Sequence, residues 1–321
     1  MMRIVLPGGS GQVGTMLARA LHARGDDVLV LSRNPESAPW RTAAWDGRTL
    51  GAWVSEINGA DAVIHLSGRN VNCRYTAANR KEIIESRTLT TRVVGEAIAQ
   101  AAQAPRVWLN AATSTIYRHS LDTPQDELSG EMGGHEPGVP ETWGFSVGVG
   151  QQWEEEFYAA TTPATRRIAL RTSMVMSPDR GGVFDVLLGL VRHGLGGSQG
   201  NGEQYVSWMH DQDFVRAVLF LIEHEEITGP VNMCAPQPVP NRDFMRVLRV
   251  SAGKSIGLPA SRWMLEIGAV FLRTETELIL KSRRVVPGVL EEAGYDFLFP
   301  SWPAAAQNLI RRWRAAPSSN R

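Results

Sequence analysis

The chain has 321 residues, 43% of them hydrophobic, and its 33 basic and 33 acidic side chains give a formal net charge of zero. That length suits one large α/β domain or two unequal lobes. The charge balance argues against a nucleic-acid partner, for which a basic excess is expected.

Residues 3–6 form a short apolar strand that runs directly into Gly8-Gly9-Ser10-Gly11-Gln12-Val13-Gly14. Val13, Leu17 and Leu21 then repeat at helical spacing over 13–24. Three glycines three apart, between a strand and a helix, make a dinucleotide-binding turn. Gly8 permits the tight bend, Gly11 lets backbone approach a pyrophosphate, and Gly14 lets the helix pack closely. Ser10, Gln12 and Val13 complete the turn, whose free N–H groups and partial positive charge face the phosphates.

The next strand covers 27–32 and ends in Ser32-Arg33. Here, roughly 20 residues after the turn, NAD-binding versions place an acid on the ribose. Arg33 instead suits a 2′-phosphate, which favours NADP(H). Asp26 and Asp27 precede the strand and sit at its wrong end for that role. A short strand is expected over 43–45 and another over 61–66, ending in His65-Leu66-Ser67-Gly68. Leu66, Ser67 and Gly68 fall at the strand end that lies beside the cofactor, and their small side chains let backbone pass close to it. His65, between Ile64 and Leu66, reads as structural.

A long amphipathic helix is expected over 79–103, a strand over 106–112, a helix over 151–161 and a strand over 167–175. Strands alternating with helices imply a parallel sheet with right-handed crossovers. Beyond it Gly and Pro become dense at 177–182, 194–202 and 236–240, with helices expected over 211–223 and 241–251. This gives a dinucleotide-binding domain over 1–177. Residues 178–321 form mainly a smaller, discontinuous substrate lobe and a small C-terminal domain, with part of 205–235 returning to the sheet. The apolar stretch 263–272 contains Glu266 and is too short to span a bilayer. Residues 315–321 are expected to fray. Cys73 and Cys234 lie far apart without His at ligand spacing, so neither a metal site nor a disulfide framework is expected. That usage fits the cytoplasm, and no leader-like segment precedes the first strand.

The opening GGSGQVG resembles that of the extended short-chain dehydrogenase/reductases of the nucleotide-sugar epimerase/dehydratase kind. So do HLSG at 65–68, ATSTIY at 112–117, LRTSMVMSP at 170–178 and WMHDQDFVRAVLFLIE at 208–223. More narrowly, residues 229–248 and 285–309 are similar to the atypical epimerase family 39 U branch. The resemblance implies a Rossmann-type doubly wound parallel sheet that holds NADP(H) and meets a small-molecule substrate, as a monomer or homodimer.

It also exposes a gap. Family members use Tyr-x-x-x-Lys for proton transfer, yet no Tyr in this chain is followed four residues later by Lys. Depending on register, Phe145 and Val149 or Ser146 and Gly150 fall in those places. The resemblance assigns Thr113 to the strand-end hydroxyl that bonds the reacting oxygen; the other reading is a turn cap. Substitute acids are Tyr117, His119, Glu127, His135 and Glu141, in or beside a loop over 118–143 read as a surface or lid segment. Tyr117 is the leading candidate because the strand end points it at the site; a packing role is the alternative. Three functional readings stay open: an NADP(H)-dependent oxidoreductase or epimerase with a non-standard proton donor, a catalytically silent NADP(H)-responsive regulator or scaffold, or a nucleotide-sugar binder using another cofactor.

Overall fold

A computed structural model describes residues 1–261, 275 and 277–316. The apolar stretch 263–272 and residues 317–321 of the C-terminal tail lie outside the described residues. Seven strands form one parallel sheet: β1 (Arg3–Pro7), β2 (Asp27–Ser32), β3 (Arg41–Ala44), β4 (Ala62–His65), β5 (Val107–Thr113), β6 (Arg166–Thr172) and β10 (Gly229–Met233). Their order is β10-β6-β5-β4-β1-β2-β3. The order in which the chain adds strands reverses between β1 and β4, which opens a crevice at the carboxyl ends of those two strands.

The strands are nearly continuous apolar runs because both faces of the sheet are covered. Successive side chains alternate sides. Ile4, Leu6, Val28 and Val30 pack with Leu17 and Leu21 of α1 (Gln12–Ala23) and with Phe214 and Leu221 of α5 (Asp211–Glu223). Val5, Leu29, Leu31 and Trp108 face the other way, onto Val93, Val94 and Ile98 of α2 (Ala77–Gln100) and Phe157 of α3 (Glu141–Ala159).

Several boundaries differ from expectation. The third strand lies at Arg41–Ala44 and pairs Leu29–Ser32 of β2. The helix expected over 151–161 begins at Glu141, ten residues earlier, because the glycines of 141–150 are tolerated once one face packs on α2 and β5. The strand expected over 167–175 ends at Thr172, and β7 (Met174–Met176) leaves the sheet to pair with β9 (Trp208–His210).

A second core gathers Met176 and Trp208 with Phe184 and Leu188 of α4 (Val183–Arg192), Phe244 and Leu248 of α6 (Asn241–Ser251), and Trp302 and Leu309 of the last helix. Trp302 stacks on Phe244 at 4.1 Å and donates its Nε1–H to the Phe244 carbonyl at 2.9 Å. Two short strands, β8 (Tyr205–Val206) and β11 (Val239–Pro240), pair antiparallel in this region. Among the described residues three further helices lie near the C-terminus: α7 (Glu277–Leu280), α8 (Gly288–Glu292) and α9 (Trp302–Ala315). Among the described residues no helix is long and apolar enough to cross a membrane.

Candidate active site

The glycine turn follows β1 directly. Gly8 adopts φ +74°, the left-handed region that favours glycine. A β-carbon there would also strike Ser67 Oγ at 2.2 Å, because the end of β4 presses on the turn. One on Gly14 would meet the Gly9 carbonyl oxygen at 2.3 Å, so the start of α1 lies directly against the turn. Gly11, the residue before α1, has no protein atom within 4 Å of such a β-carbon. The space over the helix N-terminus is open.

That space belongs to a cleft of about 1140 Å³. Gly8, Ser10, Gly11, Ser32, Arg33, Leu66, Ser67 and Gly68 line it. Ser32 Oγ lies 3.2 Å from Ser10 Oγ and accepts from the Asn34 N–H, which ties the end of β2 to the turn. Arg33 is exposed and has no hydrogen bond or ion pair with the described residues. Gln12 and Val13 do not line the cleft wall. Val13 packs against the core beneath α1, and Gln12 turns towards Gly182 at the start of α4. Two buried polar atoms lack partners at this junction, Ser67 Oγ and Gln12 Nε2.

An open helix N-terminus, orphaned polar atoms and an unpaired guanidinium fit a phosphate-rich dinucleotide. Sequence reasoning missed the far wall: Asn34, Trp45, Asp46, Arg48, Arg69 and Ser86. Arg69, one residue past the HLSG run, was the detectable signal. Among the described residues no cluster of His, Cys, Asp or Glu could hold a metal ion.

His65 is fully buried beside Trp45, its Nδ1 2.6 Å from Asn110 Oδ1, and burial lowers its pKa to about 4. It is a core residue. Thr113 ends β5, half-buried, and its Oγ1 accepts from the Thr115 N–H at 3.2 Å, capping the short turn 114–116.

Tyr117 departs from the expected role as substitute acid. The turn after β5 rotates it inward, to 2% exposure. Its hydroxyl donates to Asn232 Oδ1 at 3.0 Å and accepts from Arg171 Nη1 at 2.8 Å, while Arg171 grips Glu154 through two further bonds. The loop candidates do not converge either. Glu127 accepts from the Asn232 and Val289 N–H groups, Glu141 pairs with Arg80, and His135 is exposed. His119 Nδ1 accepts from the Ser282 N–H. The loop is bound to the C-terminal segment by backbone bonds from Gln125 N–H to Arg284 O and from Val286 N–H to Gln125 O. This pairing ties the middle of the loop to the C-terminal segment.

Helix α3 puts the two registers on different faces. Phe145 and Val149 face α2, packing with Tyr75 and Ile83. Gly150 faces β5, where a β-carbon would lie 3.0 Å from Thr113 Cγ2. Ser146 is one turn earlier on the same face. Its hydroxyl donates to Glu277 Oε2 at 2.7 Å and lies 3.3 Å from the Tyr75 hydroxyl. Arg283 Nη2 donates to Glu277 Oε1 at 2.9 Å, and Arg283 Nε to Thr115 Oγ1 at 3.1 Å. Lys281 Nζ donates to the Thr115 carbonyl at 2.7 Å, and burial brings its pKa down to about 8. Sequence spacing could not find Glu277, Lys281 or Arg283, which arrive from far along the chain.

The parallel sheet, its crevice and the glycine turn define a Rossmann-type dinucleotide-binding protein of the extended short-chain dehydrogenase/reductase class. The chain belongs to the NAD dependent epimerase/dehydratase family, whose model matches residues 4–234. A second model, described as a domain of unknown function (DUF1731), matches residues 260–309. The chain is 32% identical over 315 residues to the epimerase family protein SDR39U1 of Bos taurus, covering 96% of this chain and 100% of that one. An epimerase family protein of Mycobacterium leprae is 30% identical over 298 residues, covering 92% of this chain and 91% of that one. The crystal structure of human SDR39U1 (isoform 2) with NADPH superposes with a TM-score of 0.84 at 28% identity, covering 97% of this chain and 99% of that one.

Proposed function

We propose that this protein is an NADP(H)-dependent oxidoreductase or epimerase acting on a small carbonyl, alcohol or sugar-nucleotide-like substrate, with a non-standard proton donor. One observation carries the reading. On the face of α3 that turns to β5, the place of the absent Tyr-x-x-x-Lys pair holds polar groups from elsewhere, Tyr75, Glu277 and Arg283 around Ser146. A protein kept only to sense the cofactor has no need of a buried carboxylate there.

NADP(H) supplies or removes a hydride when bound. The turn at Gly8–Gly14 and the N-terminus of α1 would hold its pyrophosphate, and Ser67 has an unpaired polar atom at that point. Leu66 and Gly68 would flank the adenosine half, with Arg33 and Ser32 at the 2′-phosphate. NADPH in the human SDR39U1 crystal supports this choice. Thr113 would bond the reacting oxygen. The same reading divides the chain at about residue 177 into a cofactor domain and a substrate lobe, and takes it as a cytoplasmic monomer or homodimer.

The test is an NADPH titration followed by turnover assays over aldehydes, ketones and sugar nucleotides. Binding with consumption of at least one substrate supports the reading. Binding without turnover across the panel favours the silent regulator, for which the absent Tyr-x-x-x-Lys pair speaks. No measurable affinity for NADPH overturns both.

A further inference from the structure

We infer that Ser146 and Glu277 form a proton relay to the reacting oxygen, the carboxylate being delivered into the site by the C-terminal domain. The inference deepens the enzyme reading and rests on it.

Burial separates the two ends of the relay. Ser146 is only partly buried and lies on the face of α3 that packs against the end of β5 at Thr113. Glu277 has a side chain 1% exposed and meets α3 at Ser146. Both carboxylate oxygens are engaged, Oε2 by Ser146 and Oε1 by Arg283. A buried carboxylate needs such partners to stay ionised. Arg283 and Lys281 also bond Thr115, so the segment carrying Glu277 is moored to the turn that follows Thr113.

Hydrogen-bond directions fix what Ser146 can do. A serine hydroxyl has one proton to give and two lone pairs. Its proton goes to Glu277, which leaves the oxygen free to accept. Tyr75 fills one position at 3.3 Å. The second is available to a substrate hydroxyl. Burial, then the charge of Glu277, push the Tyr75 phenol up to about 12, so it remains a donor that orients Ser146.

In the oxidative direction bound NADP⁺ would take the hydride of the alcohol carbon. The alcohol proton would pass to Ser146 Oγ as the proton of Ser146 passes to Glu277 Oε2. The carbonyl, the reduced cofactor and a neutral Glu277 would result, and Glu277 would give its proton back through Ser146 once the carbonyl leaves. Reduction is the reverse. Ser146 is the group that meets the reacting oxygen; Glu277 acts through it, and Arg283 and Tyr75 are positioning residues.

The test uses the full-length protein and reads cofactor binding as well as turnover. The nicotinamide ring is positively charged only when oxidised, so a carboxylate nearby favours NADP⁺ over NADPH. E277Q keeps the shape and removes the charge. It is expected to weaken NADP⁺ relative to NADPH by about threefold or more, whereas E277D preserves the ratio. S146A is expected to leave both affinities unchanged and to lower kcat by about 10²–10⁴ on the substrate the panel identifies. Should E277Q fail to fold, the kcat of S146A decides. An E277Q protein that binds both cofactor forms in the native ratio overturns the placement of Glu277. An S146A protein with native kcat overturns the relay while the enzyme reading stands. A native protein that binds NADPH and turns over nothing brings down the enzyme reading and the relay with it.

Discussion

Tyr117 accepts a hydrogen bond from Arg171 at 2.8 Å, at the centre of a buried group that also holds Glu154 and Asn232. This bond makes the tyrosine part of the support behind β5 and β6. Tyr117→Phe leaves an Arg171 N–H buried without its partner, and such a group costs about 1–3 kcal/mol. The variant is expected to melt at a lower temperature and to bind NADPH with native affinity. A native melting temperature combined with lost turnover would return Tyr117 to the role of acid.

Gly11→Val separates cofactor binding from folding. A β-carbon at 11 meets no protein atom within 4 Å, and the backbone there is ordinary extended, φ −75°. The valine side chain therefore projects into the cleft and not into the core. Native circular dichroism with no detectable NADPH binding is expected. Binding at native strength would show that the ligand does not approach this turn.

What the sequence disclosed about the site depended on how local each part is. The glycine turn and the end of β2 are short-range motifs whose residues meet through adjacent parallel strands, so spacing alone located Gly8, Gly11, Ser32 and Arg33. The proposed reaction end is assembled over long separations: Ser146 and Glu277 are 131 residues apart, and Arg283 lies 168 from Thr115. No local pattern marks those pairs. Tyr117 misled because the direction of a strand was extended past its end. β5 stops at Thr113, and the turn over 114–116 turns the ring inward. The choice between Phe145 and Ser146 was undecidable for a related reason. A helix with glycines at 144, 148 and 150 has little amphipathic contrast, and only its neighbours α2 and β5 tell the two faces apart.

Arg33→Asp tests the cofactor preference. The guanidinium lines the cleft, exposed and unpaired among the described residues, just past β2. A charge-assisted bond to a 2′-phosphate is worth about 1.5–3 kcal/mol, or roughly ten- to a hundredfold in affinity. Aspartate replaces attraction with repulsion, so NADPH is expected to weaken by at least that factor and NADH to change little. Equal weakening of both in a fluorescence titration refutes the assignment.

Acid stability should be governed above pH 5 by two buried histidines. Burial lowers the pKa of both His65 and His210 to about 4. In the unfolded chain each titrates near 6.5. Above 6.5 both states are neutral and no penalty arises; as pH falls from 6.5 towards 4 the unfolded chain takes up protons that the folded one refuses, so stability declines across that window. At 1.36 kcal/mol per pH unit, each contributes a loss of roughly 3 kcal/mol by pH 4. His210 Nδ1 accepts from the Gln212 N–H and caps α5, a bond that protonation removes. Asparagine also caps helices well and does not titrate. His210→Asn is therefore expected to melt somewhat lower at pH 7.5, having lost its stacking on Phe299. It should nevertheless lose less on going from pH 7.5 to pH 5 than the native protein does. Parallel declines for the two proteins, followed by thermal melts across that range, would show that His210 does not control the acid limb.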